Sequence, residues 1–543
     1  MRTTHLRRTL VRGLCAALAG LTLAAADAQA LDTGLTAGAG SPLTAPILRI
    51  EGGAIRGTAV SGVYQFLGLP YAAPPTGELR WRPPQPPREW DGVRDATQFG
   101  PSCPQPASLF APPAPFSEDC LYLNVYTSTL RRDGGRPVLV WIHGGGFTED
   151  GGRNYDGSKL AADGIVVVTI NYRLGALGFL AHPALASRPG GPSGNYGLMD
   201  QQAALRWVKH NIRQFGGNPN DVTIAGQSAG GVSVLAQMVS RGSRGLFERA
   251  IVESGAFAQT QQPLAQAEAF GETFAAKVGC ANQTADCLRR VPVADLINPN
   301  NFPSAAIPGV IDGKVLTESI GTALADGRFA RVPILNGINH NEEWIFTAGL
   351  GVAVSGGRFV PVPEPVNDEN SYVADIAAVL GVSPERAAAV AAEYPLGTYP
   401  APIVAFSTLV SDANFACPAL QVDRWTSARV PTFAYQFNDD NAPSRFADPT
   451  KLPPIATHSS EYQYLFDLPN TPFPGTLTPD QQALAAGMRA AWARFAADGN
   501  PSTPALAWPS FSQGQAVMSL VPPQPQVWTG FSDAHHCSFW AAG

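Results

Sequence analysis

Charge is scarce in this chain. Asp, Glu, Lys and Arg make up 15% of 543 residues, Lys and Arg together number 37, and the net charge is −6. No basic patch is dense enough to hold a polyanion and no acidic tail is present, so nucleic acid is not an expected partner. Metal-ligand spacing is missing too. Neither Cys-x-x-Cys nor His-x-x-x-His occurs among 7 cysteines and 8 histidines, which argues against a bound metal. Past Ala30 no apolar run resembles the roughly 20 residues that cross a bilayer, and no internal repeat is evident.

The N-terminus has the form of an export signal over residues 1–30. Arg2, Arg7, Arg8 and Arg12 precede a short Ala/Leu-rich stretch, Gly13 to Ala26, and Ala28-Gln29-Ala30 is a small-x-small cleavage site. The rival reading, a membrane anchor, needs a longer apolar segment. Arg7-Arg8 leaves twin-arginine export open beside the general route, and Cys15 has no convincing lipobox. Cleavage removes Cys15 and leaves six cysteines, an even number in keeping with an oxidising compartment. Six cysteines allow many pairings. Local closure favours Cys103 with Cys120 and Cys280 with Cys287, and Cys417 with Cys537 would then tie the tail to the body.

A hydrophobic share of 45% is ample for a large core. Residues 31–46 read as a loose arm, and 47–71 alternate as antiparallel strands do. Residues 72–117 are proline-rich loop. Pro137–Ile142 and Gly164–Ile170 are continuous apolar runs, the mark of strands buried on both faces. Met199–Gln214 places Leu205, Val208 and Ile212 on one helical face. Val222–Ala225, Arg249–Val252, Pro333–Leu335 and Pro431–Phe437 read as further strands, and Ala483–Ala497 as a late helix. Residues 348–366, rich in Gly, Val and Pro, read as a mobile surface loop. Alternation of strand and helix without a clear linker predicts one α/β domain over residues 31–543.

The chemistry centres on Gly226-Gln227-Ser228-Ala229-Gly230. An apolar, β-branched strand precedes it and a helix-forming run follows, which is the setting of a nucleophile elbow. Glycines on either side let the backbone turn sharply and let strand and helix approach. In a chain with 55 glycines the pattern alone is equally a surface turn. A serine hydroxyl also needs a base oriented by a carboxylate. His458, in a polar loop after the last apolar strand run, is the best-placed histidine. Glu342 follows the strand that starts at Pro333. The order Ser228, Glu342, His458 is that of α/β-hydrolases and not of chymotrypsin-like or subtilisin-like proteases. Trp141-Ile142-His143-Gly144-Gly145-Gly146-Phe147 follows a strong strand. N–H groups of Gly145 and Gly146, with that of Ala229, would form an oxyanion hole, where losing one donor costs roughly 3–4 kcal/mol.

With these pieces in place the chain resembles the type-B carboxylesterase/cholinesterase family over nearly its whole mature length. Phe66 to Trp81, Ser117 to Asn124, Asn171 to Phe179, Gly194 to Gln201 and Asp221 to Gly231 are similar to the family's motifs. The resemblance implies an α/β-hydrolase fold: a large, mostly parallel sheet with N-terminal antiparallel strands and helices on both faces. It implies Ser228 as nucleophile, Glu342 as acid, His458 as base, and Ser254 as a partner of the acid. It also implies ion pairs Arg80–Glu118 and Arg173–Asp200, and disulfides Cys103–Cys120, Cys280–Cys287 and Cys417–Cys537.

The chain departs from the family in three places. Gln227 stands where glutamate is usual, removing a charge beside the nucleophile. Glu343 follows the acid where glycine is usual, so either Glu342 or Glu343 is available to orient His458, with register favouring Glu342. The Cys103–Cys120 loop contains no tryptophan, which counts against a choline-ester specialist. Phe110, Phe116, Phe147, Trp344 and Phe346 either line an apolar gorge or belong to the core.

The resulting expectation is a secreted or periplasmic serine carboxylesterase acting through an acyl-enzyme, with no metal or organic cofactor. Its substrate is a small ester, apolar or aromatic. Alternatives on the same fold are a specialised lipase, thioesterase, polyester or toxin-ester hydrolase and, more remotely, a non-catalytic adhesion protein. The composition and signal point to a bacterial source, and a monomer or weak homodimer is expected.

Overall fold

Residues 45–108, 115–132, 135–188, 190–302, 309–362, 369–450 and 454–542 are described by the computed structural model of the protein. The export signal, most of the arm that follows it, and Phe110 lie outside these residues.

The apolar runs become the interior of one eleven-stranded sheet. Its strands in chain order are β1 (Thr58–Val60), β2 (Val63–Pro70), β3 (Tyr122–Thr127), β4 (Arg136–Ile142), β5 (Val166–Ile170) and β6 (Gly217–Gln227). They continue with β7 (Arg249–Glu253), β8 (Ile334–Asn339), β9 (Thr432–Phe437), β10 (Val517–Leu520) and β11 (Gln526–Trp528). The spatial order is β11-β10-β9-β8-β7-β6-β4-β5-β3-β2-β1. From β5 through β10 every pairing is parallel. The edges are antiparallel, with β1, β2 and β3 on one side and β11 on the other. This is the architecture expected from the sequence.

Period-two alternation sorts the strand side chains into two cores. Val138, Val140, Ile142, Val166, Val168 and Ile224 face one layer, which includes Leu205, Val208, Val232 and Leu235 from the helices Tyr196–Asn211 and Ala229–Val239. Leu139, Trp141, Val167, Ala225 and Ile251 face the other, against Leu484, Met488, Trp492 and Phe495 of the helix Pro479–Asp498. Each such buried side chain contributes about 1.5–3 kcal/mol. Parallel register brings the carboxyl ends of β4, β6, β7 and β8 to one rim, where α/β sheets place their sites.

Three features differ from the sequence reading. Ile47–Ile50 and Gly53–Arg56 pair with Val93–Asp95 in a separate small sheet. Residues 348–362 are not simply a loop, since Val352–Ser355 and Arg358–Pro361 form a hairpin, and 363–366 lie outside the described residues. Its Ala353 and Val354 are buried, and the Val354 N–H donates to Glu343 Oε1 at 2.9 Å. The helical run Pro402–Ser427 is long and apolar enough to cross a membrane, yet most of it is buried within the fold. Cys103–Cys120, Cys280–Cys287 and Cys417–Cys537 are disulfide-bonded.

Candidate active site

β6 ends at Gln227, and Ser228 makes the turn into the helix Ala229–Val239. Ser228 has φ 57° and ψ −125°, a region that costs a non-glycine residue about 1–3 kcal/mol. The turn is held by the Ser228 N–H donating to Glu253 O at 2.9 Å and by Val232 N–H donating to Ser228 O at 2.9 Å. A Cβ on Gly230 would collide with the carbonyl oxygen of Ile142, so this position admits only glycine at such close approach. Gln227 and Ala229 are buried on either side, while Ser228 opens into a cavity. The first N–H groups of the helix lack intrahelical partners and carry its positive end.

A chain of hydrogen bonds converges on the imidazole of His458. Its Nδ1 lies 2.6 Å from Glu342 Oε2. The other oxygen of Glu342 accepts from Ser254 Oγ at 2.6 Å and from the Asn339 N–H at 2.7 Å. Both side chains are almost wholly enclosed, His458 at 4% and Glu342 at 0% exposure. On the far side Gln227 Nε2 lies 3.3 Å from His458 Nε2, and Tyr462 donates its hydroxyl to Gln227 Oε1 at 2.6 Å. Burial raises the Tyr462 phenol well above its usual range, so it stays a donor. One tautomer satisfies all four groups: Tyr462 O–H to Gln227, Gln227 N–H to Nε2, and Nδ1–H to Glu342.

Glu343 points elsewhere. It supports the hairpin through Val354, and burial, reinforced by the neighbouring Glu342 charge, raises its carboxyl well above the usual range. Gly145 and Gly146 form a tight turn with φ 77° and 58°. Thr148 and Glu149 donate their N–H groups to Gly145 O at 2.9 and 3.1 Å. A Cβ on Gly145 would strike the Glu149 carbonyl. Tyr172 props this turn, its hydroxyl donating to His143 O at 2.9 Å while its ring stacks on His143. Burial lowers the His143 imidazole pKa and keeps it neutral.

Ser228 and His458 line two adjoining cavities. The larger also takes in Gly145, Gly146, Tyr155, Phe446 and Leu468. The smaller takes in Gly146, Phe147, Ala229, Phe257 and Phe415. Phe346 and Phe359 line both. Of the aromatics named from sequence, Phe147 and Phe346 are wall residues. Trp344 is buried and Phe116 largely exposed, neither among the lining residues. Phe359 comes from the hairpin strand Arg358–Pro361 and Phe446, Tyr462, Phe257 and Phe415 from loops and helices distant in sequence, and no local pattern marks them.

Five further histidines among the described residues are engaged with other partners. His340 pairs with Asp440, His535 with Asp412, His536 with Glu393 and His210 with Glu51, and His182 contacts Gln283. An imidazole–carboxylate pair is thus common in this fold. What distinguishes His458 is the cavity it shares with Ser228.

A model of the carboxylesterase family matches residues 44–540. The chain belongs to the carboxylesterase family. It is 34% identical to para-nitrobenzyl esterase of Bacillus subtilis (strain 168), covering 87% of this chain and 94% of that one. It is 36% identical to fumonisin B1 esterase of Sphingopyxis macrogoltabida, covering 87% and 85%. It is 34% identical to cocaine esterase of Homo sapiens, covering 93% of each. A solved PNB esterase superposes with a TM-score of 0.76 at 31% identity, covering 91% of this chain and 99% of that one. This carboxylesterase is accordingly an ester-hydrolysing enzyme.

Proposed function

We propose that this carboxylesterase works through an acyl-enzyme on Ser228. His458 takes the serine proton as the hydroxyl attacks the ester carbonyl and returns it to the leaving alcohol. Water then enters by the same base and releases the acid. Glu342 fixes the tautomer of His458 and stabilises the imidazolium, and Ser254 orients Glu342. The N–H groups of Gly145, Gly146 and Ala229 receive the oxyanion. Gln227 keeps the Nε2 lone pair directed into the site and yields it to Ser228 when substrate binds. The observation carrying this reading is the 2.6 Å contact from Glu342 to His458, in the cavity that holds a serine at a positive-φ turn.

The substrate is a small ester with apolar or aromatic arms, a reading supported by the phenylalanines lining both cavities. Residues 1–30 are a cleaved export signal, and residues 31–543 form one domain, secreted or periplasmic, a reading supported by the three disulfides. The protein acts as a monomer or weak homodimer. The test is a panel of esters, including para-nitrobenzyl and aliphatic esters, varied separately in acyl and alcohol size, with Ser228→Ala as the blank. Hydrolysis by wild type, absent from the variant, is expected. Full activity in Ser228→Ala would contradict the mechanism.

A further inference from the structure

The larger cavity contains a carboxylate that the ester chemistry does not use. Glu149 lines it, on the turn that follows the triple glycine, and Glu149 Oε2 is buried without a hydrogen-bond partner among the described residues. Its neighbour Asp150 shows what a structural acid looks like here. Asp150 Oδ1 accepts from the Gly151 N–H and from Asn154 Nδ2, both at 2.7 Å, and Oδ2 accepts from Tyr155 OH at 2.6 Å. The Asp150 backbone is clamped at φ 85°, with its N–H donating to Gln105 Oε1 at 2.7 Å and its carbonyl accepting from Gln105 Nε2 at 2.9 Å. Asp150 is therefore engaged through both carboxylate oxygens and holds the turn rigid. Glu149 rides on that rigid turn with valence to spare: the Ser108 side chain hydrogen-bonds its carboxylate, and the charge acting on it is Asp150, of the same sign.

A carboxylate with a buried, unfilled acceptor oxygen and, among the described residues, no cation acting on it is a poor structural device, because the Ser108 hydrogen bond offsets only part of its desolvation. In a substrate cavity the compensating cation can be supplied by the ligand. We infer that Glu149 is a specificity-determining residue that receives a protonated amine on the ester arm occupying the larger cavity, and this rests on the proposed esterase reading of Ser228. The recognition is by N–H donation to the Glu149 carboxylate, whose side chain turns toward the ligand to present Oε2, so a primary or secondary ammonium qualifies and a quaternary ammonium, which has no N–H, does not. The aromatic walls near Ser228 hold the apolar stem between ester and amine. In keeping with this, burial pushes the Glu149 carboxyl up to about 7, and an ammonium partner would hold it ionised.

The test uses matched esters of one chain length whose terminus is an amine, a methyl group or a trimethylammonium. They are made once with that terminus on the alcohol arm and once on the acyl arm. Wild type is expected to prefer the amine over the methyl ester by about tenfold or more in kcat/KM on one of the two arms, with no such preference for trimethylammonium. Glu149→Gln is expected to collapse the amine-to-methyl ratio toward unity, whatever the absolute rates. In a measurement that needs no variant, a short alkylammonium should inhibit wild-type hydrolysis of the methyl ester more strongly than the alcohol of the same length. Equal ratios on both arms, a ratio unmoved in Glu149→Gln, or equal inhibition by amine and alcohol would overturn the inference. Failure of wild type to hydrolyse the methyl esters at all would instead strike the esterase reading beneath it.

Discussion

At Gln227 a neutral amide stands where the carboxylesterase pattern has glutamate, and its Nε2 lies 3.3 Å from His458, the imidazole proposed to accept the serine proton. The charged group already facing that imidazole is Glu342. A second carboxylate at 227 would stabilise the imidazolium form. Gln227→Glu should therefore shift the acidic limb of the kcat/KM profile to higher pH, by about one unit or more. An unmoved limb would mean that Gln227 does not govern the base. Glu342 and Glu343 separate in the same way. Glu342→Gln removes the acceptor that fixes the tautomer and should lower kcat by about 10²–10⁴-fold. Glu343 carries a carboxyl that burial keeps protonated. Glu343→Gln keeps an acceptor for Val354 and should stay within about tenfold of wild type. Steady-state rates on one activated ester decide both.

At the scale of elements, glycine has opposite roles in the two helices that flank the sheet. Gly230 opens the helix Ala229–Val239 where a Cβ would collide with Ile142 O, so Gly230→Ala must move helix or strand, at about 1–3 kcal/mol and with loss of activity. Gly487, inside Pro479–Asp498, has open space where its Cβ would be. Gly487→Ala should stabilise by about 0.5–1 kcal/mol, read as a higher midpoint in denaturant. The same contrast shows what was legible beforehand. The elbow could be read because its backbone leaves glycine and serine few alternatives, and β4 and β5 because strands buried on both faces are continuous apolar runs. The hairpin Val352–Pro361 reads as a mobile loop in sequence because its turn is glycine-rich. What holds it down is a tertiary contact from Glu343 to Val354 that no local pattern announces. Phe359 on that hairpin and Phe446 beyond β9 become cavity walls by the same long-range folding. The helices Glu369–Leu380 and Pro384–Glu393 were likewise unmarked, and they form a core of their own with Tyr372, Val390 and Phe406.

Across the whole molecule, buried acids and cross-links set the stability profile. Burial raises the carboxyls of Glu253, Glu461 and Glu343 above their usual range. Each keeps its proton in the folded protein at pH values where the unfolded chain has released it. Stability is therefore lost as pH rises above the ordinary glutamate range, until the folded carboxyls also ionise. The thermal midpoint should fall from mildly acidic to alkaline pH. Glu253→Gln, which keeps an acceptor for Trp492 Nε1, should flatten that fall; an unchanged slope would remove Glu253 from the account. Among the disulfides, Cys417–Cys537 closes 120 residues and Cys280–Cys287 closes 7. By loop entropy their removal costs about 5 and about 2 kcal/mol respectively, so the double serine variant of the longer loop should melt at the lower temperature.

Intact-protein mass spectrometry after quenching the enzyme with an activated ester, followed by peptide mapping, tests the central claim most directly. A single acyl adduct on Ser228 of the wild-type enzyme, trapped by acid quench during turnover, and no adduct in Ser228→Ala, is the predicted result. An adduct on another residue, or turnover that persists in Ser228→Ala, would contradict it.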